Sequence, residues 1–310
     1  MSMPRRAVSL VLTLLAASII VFVALEIVPG DAARFMMGVD ADPRAVAALR
    51  AELALSGTAV ERYMRWLGGM LSGDFGISYT YRVPVSGLIL ERFSVSLPLA
   101  LAALLISTSI ALFGAVAAVQ YPGSWLEKLL LGAAALGLAI PNFWLALMLM
   151  LVFAVFLQVL PAGGFPGWGA PLGAVQSLML PALALGVPQG AIMLRVLRGC
   201  LLDVLEQDFM RTAFAKGLTH KQALWRHALP NALVPALPIF GLQFAFLVAG
   251  AVIVENVFYL PGLGRLVLQA ITQRDLITVK AVIMLLVTLV VLTSFCVDVI
   301  AAHIDPRLRR

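Results

Sequence analysis

Phosphate chemistry is the first possibility the sequence raises, because a nucleotide-binding loop needs a lysine and four are present. Such a loop places Lys before Ser or Thr, after glycines whose backbone N–H groups cradle phosphate. Lys128, Lys216, Lys221 and Lys280 are followed by Leu, Gly, Gln and Ala, so this chain does not hydrolyse ATP by that chemistry. Asp74-Phe75-Gly76 spells the magnesium motif of kinases, but no glycine-rich loop and no His-Arg-Asp loop accompany it, and a turn after a helix accounts for it. Gly262-Leu263-Gly264 is too short for a dinucleotide fingerprint, and neither HExxH nor GxSxG occurs. Cys200 and Cys296 lack metal-ligand spacing and read as isolated reduced thiols. The expectation is a chain with no catalytic residue, no metal site and no cofactor of its own.

The elements that would position such residues are membrane spans. Of 310 residues, 62% are hydrophobic and 12% charged, whereas a soluble domain carries about 25% charged residues. From Leu129 through Leu194 run 66 residues without Asp, Glu, Lys or Arg. A charge at mid-bilayer costs about 2.5–3.5 kcal/mol on insertion scales, so lipid selects for this absence. The net charge of +6 does not point to nucleic acid, because the basic residues cluster at the ends of apolar runs. The first run, Ala7–Val28, exceeds a signal-peptide core and has no small-x-small cleavage site after it, so an uncleaved span is expected.

About 20 apolar residues cross a bilayer, which gives spans at 7–28, 97–119, 129–160, 176–194, 231–254 and 281–302. Pro141 divides the third, and the expectation there is one kinked crossing. Six spans place both termini on one side, and Arg5, Arg6 and the terminal arginines assign that side to the cytoplasm. The chain then divides into 1–28, a cytoplasmic N-terminus with the first span; 29–96, an external helical segment; and 97–310, the core carrying the other five spans. In the external segment Asp42-Pro43 reads as a helix start with Val46, Leu49 and Leu53 on one face. Val60, Tyr63, Met64, Leu67 and Leu71 form a second helix that Ser72-Gly73-Asp74 stops. Glu26 and Asp298 stand near span ends rather than at the midplane, where coupled carriers hold their ionisable groups. Without an ATP site or a midplane relay, uphill transport through this chain must draw energy from a partner.

The cytoplasmic segment 195–230 carries six Lys/Arg against three acids. Asp208 can cap a short helix through Phe209, Met210, Ala213 and Phe214 that breaks at Gly217; Thr219-x-x-Gln222 is a capping box for the next. Leu224 and Ala228 follow, and Pro230 precedes the fifth span. Two short helices with a glycine elbow make a knob for a protein partner, and equally a basic amphipathic surface for anionic lipid. Small residues at Gly186-x3-Gly190 and Gly241-x3-Ala245-x3-Ala249 suit close helix packing. Asn142, Gln189 and Gln243 are polar candidates for lining a pathway or for interhelical hydrogen bonds.

The run Arg211-Thr-Ala-Phe-Ala-Lys-Gly217-Leu, followed by His227-Ala-Leu229-Pro230-Asn231-Ala, resembles the permease loop of bacterial ABC importers. That loop reads Glu-Ala-Ala, three residues, Gly, nine residues, then Ile-x-Leu-Pro. Ala213, Gly217, Leu229 and Pro230 match in spacing, while Arg211, Thr212 and His227 depart in the manner of the dipeptide/oligopeptide/nickel branch. Val28-Pro-Gly-Asp31, Gly73-Asp-Phe-Gly-Ile-Ser78, Ile140-Pro-Asn-Phe-Trp144, Val254-Glu-Asn-Val-Phe258, Pro261-Gly-Leu-Gly-Arg265, Arg274-Asp275 and Asp305-Pro-Arg307 extend the likeness along the chain.

The resemblance implies an all-α polytopic fold, the type I ABC importer permease, with six transmembrane helices and a small external helical segment between the first two. It implies a second, related permease, two cytoplasmic ATPase subunits that hold ATP and magnesium, and a periplasmic solute-binding protein, assembled in the bacterial inner membrane. The knob would sit in a cleft of one ATPase: Gly217 as the elbow, Leu218 and Leu224 as apolar contacts, Lys216 facing acidic groups, with Arg211, Ala213, Leu229 and Pro230 completing the motif. The segment 29–96 and the loop Glu255–Arg274 would meet the binding protein. Di- or oligopeptide is the expected cargo, with nickel, glutathione, opines or sugars as alternatives. His220, His227 and His303 all fall on the cytoplasmic side and suit nickel handling poorly. A stand-alone channel or secondary carrier is the competing class, and it leaves the Gly217 loop without a purpose.

Overall fold

A computed structural model of the chain describes residues 3–27, 42, 44 and 57–304. The helices are α1 (Met3–Ile27), α2 (Ala59–Ser72), α3 (Val85–Gln120), α4 (Trp125–Ala139) and α5 (Asn142–Leu149), the last continued by a π-helical stretch, Met150–Phe156. Then come α6 (Pro171–Leu205), α7 (Asp208–Ala215), α8 (His220–Ala223) with a π-helical continuation Leu224–Ala228, α9 (Leu229–Val257), α10 (Leu263–Thr272) and α11 (Leu276–Ile304). The described residues contain no β-strand, only an isolated bridge between Ile77 and Pro84. Val28–Asp31 and Asp305–Arg307 lie outside the described residues. So does most of the helix expected after Asp42, although Asp42 Oδ1 accepts the Arg44 N–H at 2.9 Å, as a capping aspartate does.

Among the described residues, five helical stretches are long and apolar enough to span a membrane: those within α1, α3, α6, α8–α9 and α11. A sixth forms if α4 and α5 are taken together, but they meet at 106°. The break is therefore much sharper than the kink expected from the sequence. Its cause is local: Ile140, ahead of Pro141, is extended at φ −88°, ψ 121°, because the proline ring excludes the helical region for its predecessor.

The helices overrun the expected spans. α3 begins at Val85, twelve residues before position 97, and α6 continues from Leu194 to Leu205. At 1.5 Å per residue each exceeds 50 Å, against a hydrocarbon core of about 30 Å. Lipid limits which side chains appear at its own depth; it does not end a helix. Pro98, Pro181, Pro188, Pro235 and Pro238 all lie inside helices, which neighbouring helices make tolerable in a membrane.

α3 and α6 form the central pair. A Cβ on Gly186 would lie 2.8 Å from the Ala103 carbonyl oxygen, and one on Gly190 would lie 2.8 Å from Ile110 Cβ, so both glycines are required for this approach. Gly241 of α9 touches Val297 of α11, but Ala249 is exposed, so the small-residue stripe of α9 is an internal contact only at its start. α1 lies against α11, with the Arg6 guanidinium donating to the Asp298 carbonyl.

Candidate functional site

At the end of the bundle that carries Arg195–Arg226, the chain leaves α6 and folds back as α7 and α8. Gln207, not Asp208, is the N-cap of α7 and makes no side-chain capping bond. Asp208 sits one position inside, where its charge still favours the helix N-terminus, and pairs with Arg211 at 3.5 Å in an exposed contact. The end of α7 explains the loop motif. Gly217 has φ +84°, its N–H donates to the Phe214 carbonyl at 2.9 Å, and the Leu218 N–H donates to the Ala213 carbonyl at 3.3 Å. This double closure is a Schellman motif: left-handed glycine just past the helix, an apolar residue next, a small residue facing it. Thr219 then caps α8 reciprocally with Gln222, through bonds of 3.3 and 3.1 Å.

Leu224 was expected on the outside of this knob as a partner contact; it is 0% exposed. The reason is the π-helical stretch, in which the Leu229 N–H returns to the Leu224 carbonyl five residues back. Pro230 follows immediately and has no N–H to return, which suits an interrupted ladder. Leu224, Ala228 and Leu229 thereby join Met210 and Ala223 in one apolar cluster with Leu197, Leu201 and Val204 of α6, Val116 and Val119 of α3, and Ala232 of α9. Ala213 is buried and Leu218 half-buried, while Pro230 is exposed. The outward face instead presents Arg211, Phe214, Lys216, Lys221, Trp225 and Arg226, with the Phe214 ring stacked on His220 at 6.1 Å and 8°. Arg198 pairs with Glu127 and ties α6 to the start of α4.

The opposite end holds two buried carboxylates. Glu255, at the end of α9, accepts from the Ser96 hydroxyl of α3, from the Gly264 N–H at 2.8 Å and from the Arg265 N–H at 3.2 Å. It thus sits on the N-terminus of α10, where a negative charge is favoured. A Cβ on Gly262 would collide with that carboxylate and one on Gly264 with the Val252 backbone, 2.4 Å from its Cα, which accounts for Pro-Gly-Leu-Gly at this place. Asp275 caps α11 through the Thr278 N–H at 3.3 Å and also accepts from the Ser78 and Thr278 hydroxyls. Burial and the Asp275 carboxylate hold the neighbouring Tyr79 phenol above its usual range. Neither clasp was assigned from the sequence, although both carboxylates fall inside the quoted motifs; a solitary Glu or Asp at a span end carries no sign of its partners.

Gln189 and Gln243 are buried, and each leaves its side-chain oxygen without a partner. Asn142 is half-buried and its amide nitrogen lies against Gly250 of α9. No hydrogen bond joins these three side chains to one another among the described residues. Within the described residues no three His, Cys, Asp or Glu side chains gather as a metal site requires.

Residues 110–310 match the family described as binding-protein-dependent transport system inner membrane component, and residues 2–100 match that described as the N-terminal part of such membrane components. The chain is 36% identical over 306 residues to a Brucella abortus (strain 2308) protein provisionally named a peptide transport system permease, with 98% of each chain covered. It is 35% identical over 305 residues to the glutathione transport system permease protein of Salmonella typhimurium, covering 98% of this chain and 97% of that one. Among solved structures it resembles the methionine ABC transporter MetNI in inward-facing conformations, with a TM-score of 0.59 and 20% identity over 70% of this chain and 96% of that one. At that identity the likeness establishes the fold.

Proposed function

The chain belongs to the family of binding-protein-dependent transport system inner membrane components, and on that premise we propose that it forms half of the translocation pathway of an ATP-driven importer for small peptides. The other half is a second, related permease. Two cytoplasmic ATPases hold ATP and magnesium, and a solute-binding protein delivers cargo from outside. Both termini and the knob 207–230 face the cytoplasm, as the arginines at the span ends favour. Peptides are the cargo because the similar proteins are named for peptide and glutathione transport.

The observation that carries this reading is the shared apolar core of the knob with α3, α6 and α9. Close-packed interiors transmit displacement rather than absorb it. When ATP draws the two ATPases together, the knob moves, and three spans must move with it. The outward residues Phe214, Lys216, Lys221, Trp225 and Arg226 supply the contact, the basic ones facing acidic ATPase groups; Leu224 holds the knob to the bundle from beneath. Gly217 and Leu218 keep the elbow closed. Gln189, Gln243 and Asn142 are the candidates for the pathway wall, since buried amide oxygens lacking a partner call for water or a solute.

Native mass spectrometry of the tagged chain, purified with the proteins encoded beside it, tests the assembly. The expected spectrum contains one copy of this chain, a second permease and two ATPase subunits. A chain that is alone, or only self-associated, under conditions that preserve assemblies contradicts the proposal and favours a stand-alone carrier.

A further inference from the structure

The helix α2 divides into three faces. Tyr63, Trp66 and Met70 turn toward the protein: the Tyr63 hydroxyl lies 2.8 Å from Ser18 Oγ, and the Phe22 ring is 5.3 Å from Tyr63 and 5.9 Å from Trp66. Glu61, Arg65, Gly68 and Ser72 lie on the opposite side. Between the two runs an apolar stripe, Val60, Met64, Leu67 and Leu71, at i, i+4, i+7, i+11 spacing. Val60 is 67%, Met64 61% and Leu71 82% exposed and Leu67 is half-buried, so the described residues leave most of the stripe uncovered.

The contacts place α2 relative to the ends of two spans. Phe22 lies five residues before the end of α1 and Ser18 nine, which at 1.5 Å per residue is about 7 and 13 Å below that end. Lys280, whose ammonium stands 4.6 Å over the Phe22 ring, is four residues into α11, about 6 Å below its start. Arg62 reaches up from α2 to pair with Glu26 near the top of α1. The helix therefore lies below the ends of both spans. The outer half of α1, against which α2 lies, exposes Ile19, Ile20, Val23 and Ile27, the lipid-facing surface of a span.

We infer that α2 is an in-plane helix of the leaflet at the end opposite the knob, its Val60–Met64–Leu67–Leu71 stripe seated among acyl chains. Interfacial helices bury their apolar face about 5–10 Å into the boundary between headgroup and chain, and Tyr63 and Trp66 meet α1 alongside its outer turns rather than beyond its end. The arc Glu61–Arg65–Ser72 faces water, and the aromatic pair Tyr63–Trp66 stands where amphipathic rings favour the interface. The inference holds whatever the cargo. It also limits docking: of residues 57–72, a soluble partner reaches only the polar arc.

The test uses the unaltered chain in the complex with which it purifies, reconstituted in phosphatidylethanolamine/phosphatidylglycerol vesicles containing a phospholipid with a diazirine near the glycerol end of one acyl chain. After illumination, peptide mapping is expected to find adducts on Val60, Met64 or Leu71 and none on Glu61, Arg65 or Ser72. A nitroxide at Met64→Cys, with Cys200 and Cys296 replaced by Ser, is expected to relax with oxygen at least threefold more than with a nickel chelate, and one at Ser72→Cys to show the reverse. No lipid adduct on the stripe, with Met64→Cys open to the nickel chelate, overturns the inference in favour of water. No adduct, with the label shielded from both reagents, overturns it in favour of a protein covering the stripe.

Discussion

Gly217 shows how one residue sets the shape of the knob. Its φ of +84° is the left-handed conformation that closes α7, and no atom lies within 4 Å of where a Cβ would stand. A side chain there meets no steric obstacle; it costs backbone strain, about 1–2 kcal/mol. Gly217→Val is expected to insert and assemble but to lose most uptake while ATP hydrolysis continues, measured by paired uptake and phosphate-release assays in vesicles. Gly217→Asn, which tolerates the left-handed region, is expected to retain more activity than Val. Leu224 answers a different question. Its burial makes Leu224→Ala a cavity substitution of about 2–5 kcal/mol, so thermal unfolding in detergent is expected to fall by several degrees. Lys216→Ala, on the exposed face, is expected to leave unfolding unchanged and to weaken ATPase association.

At the scale of elements, the two clasps opposite the knob bind α10 to its neighbours. Removing the Glu255 carboxylate strands the Ser96 hydroxyl and the Gly264 and Arg265 N–H groups, each worth about 1–3 kcal/mol when buried without a partner. Glu255→Ala is therefore expected to raise hydrogen–deuterium exchange across Leu263–Thr272, with α6 unaffected. The elements also show what a sequence of this kind reveals. The capping box at Thr219 and the left-handed stop at Gly217 were legible because each is a local bargain among neighbours in the chain. The burial of Leu224 was not, because apolar periodicity cannot distinguish a face packed on α6 from one offered to a partner. The ends of α3 and α6 were not legible, because hydropathy marks the depth of lipid, not the length of a helix. Pro141 was seen, yet a proline in a sequence does not say whether its predecessor bends the helix slightly or, as Ile140 does here, leaves it altogether.

In the proposed function, energy enters the whole molecule at one end and cargo at the other. α3 and α6 each exceed 50 Å by the helical rise, long enough to run from the knob's apolar cluster to the clasp formed by Ser96, Glu255 and α10. The family and the fold follow from the comparisons and from the bundle; the direction of coupling rests on the knob. The most direct test of that claim places a photoreactive benzoylphenylalanine at Phe214, an aromatic position already exposed on the knob, in the purified complex. The account predicts a crosslink to an ATPase subunit whose yield changes when ATP is added. Crosslinks to lipid alone, unaffected by ATP, would contradict it and make the basic face a membrane-resting surface instead.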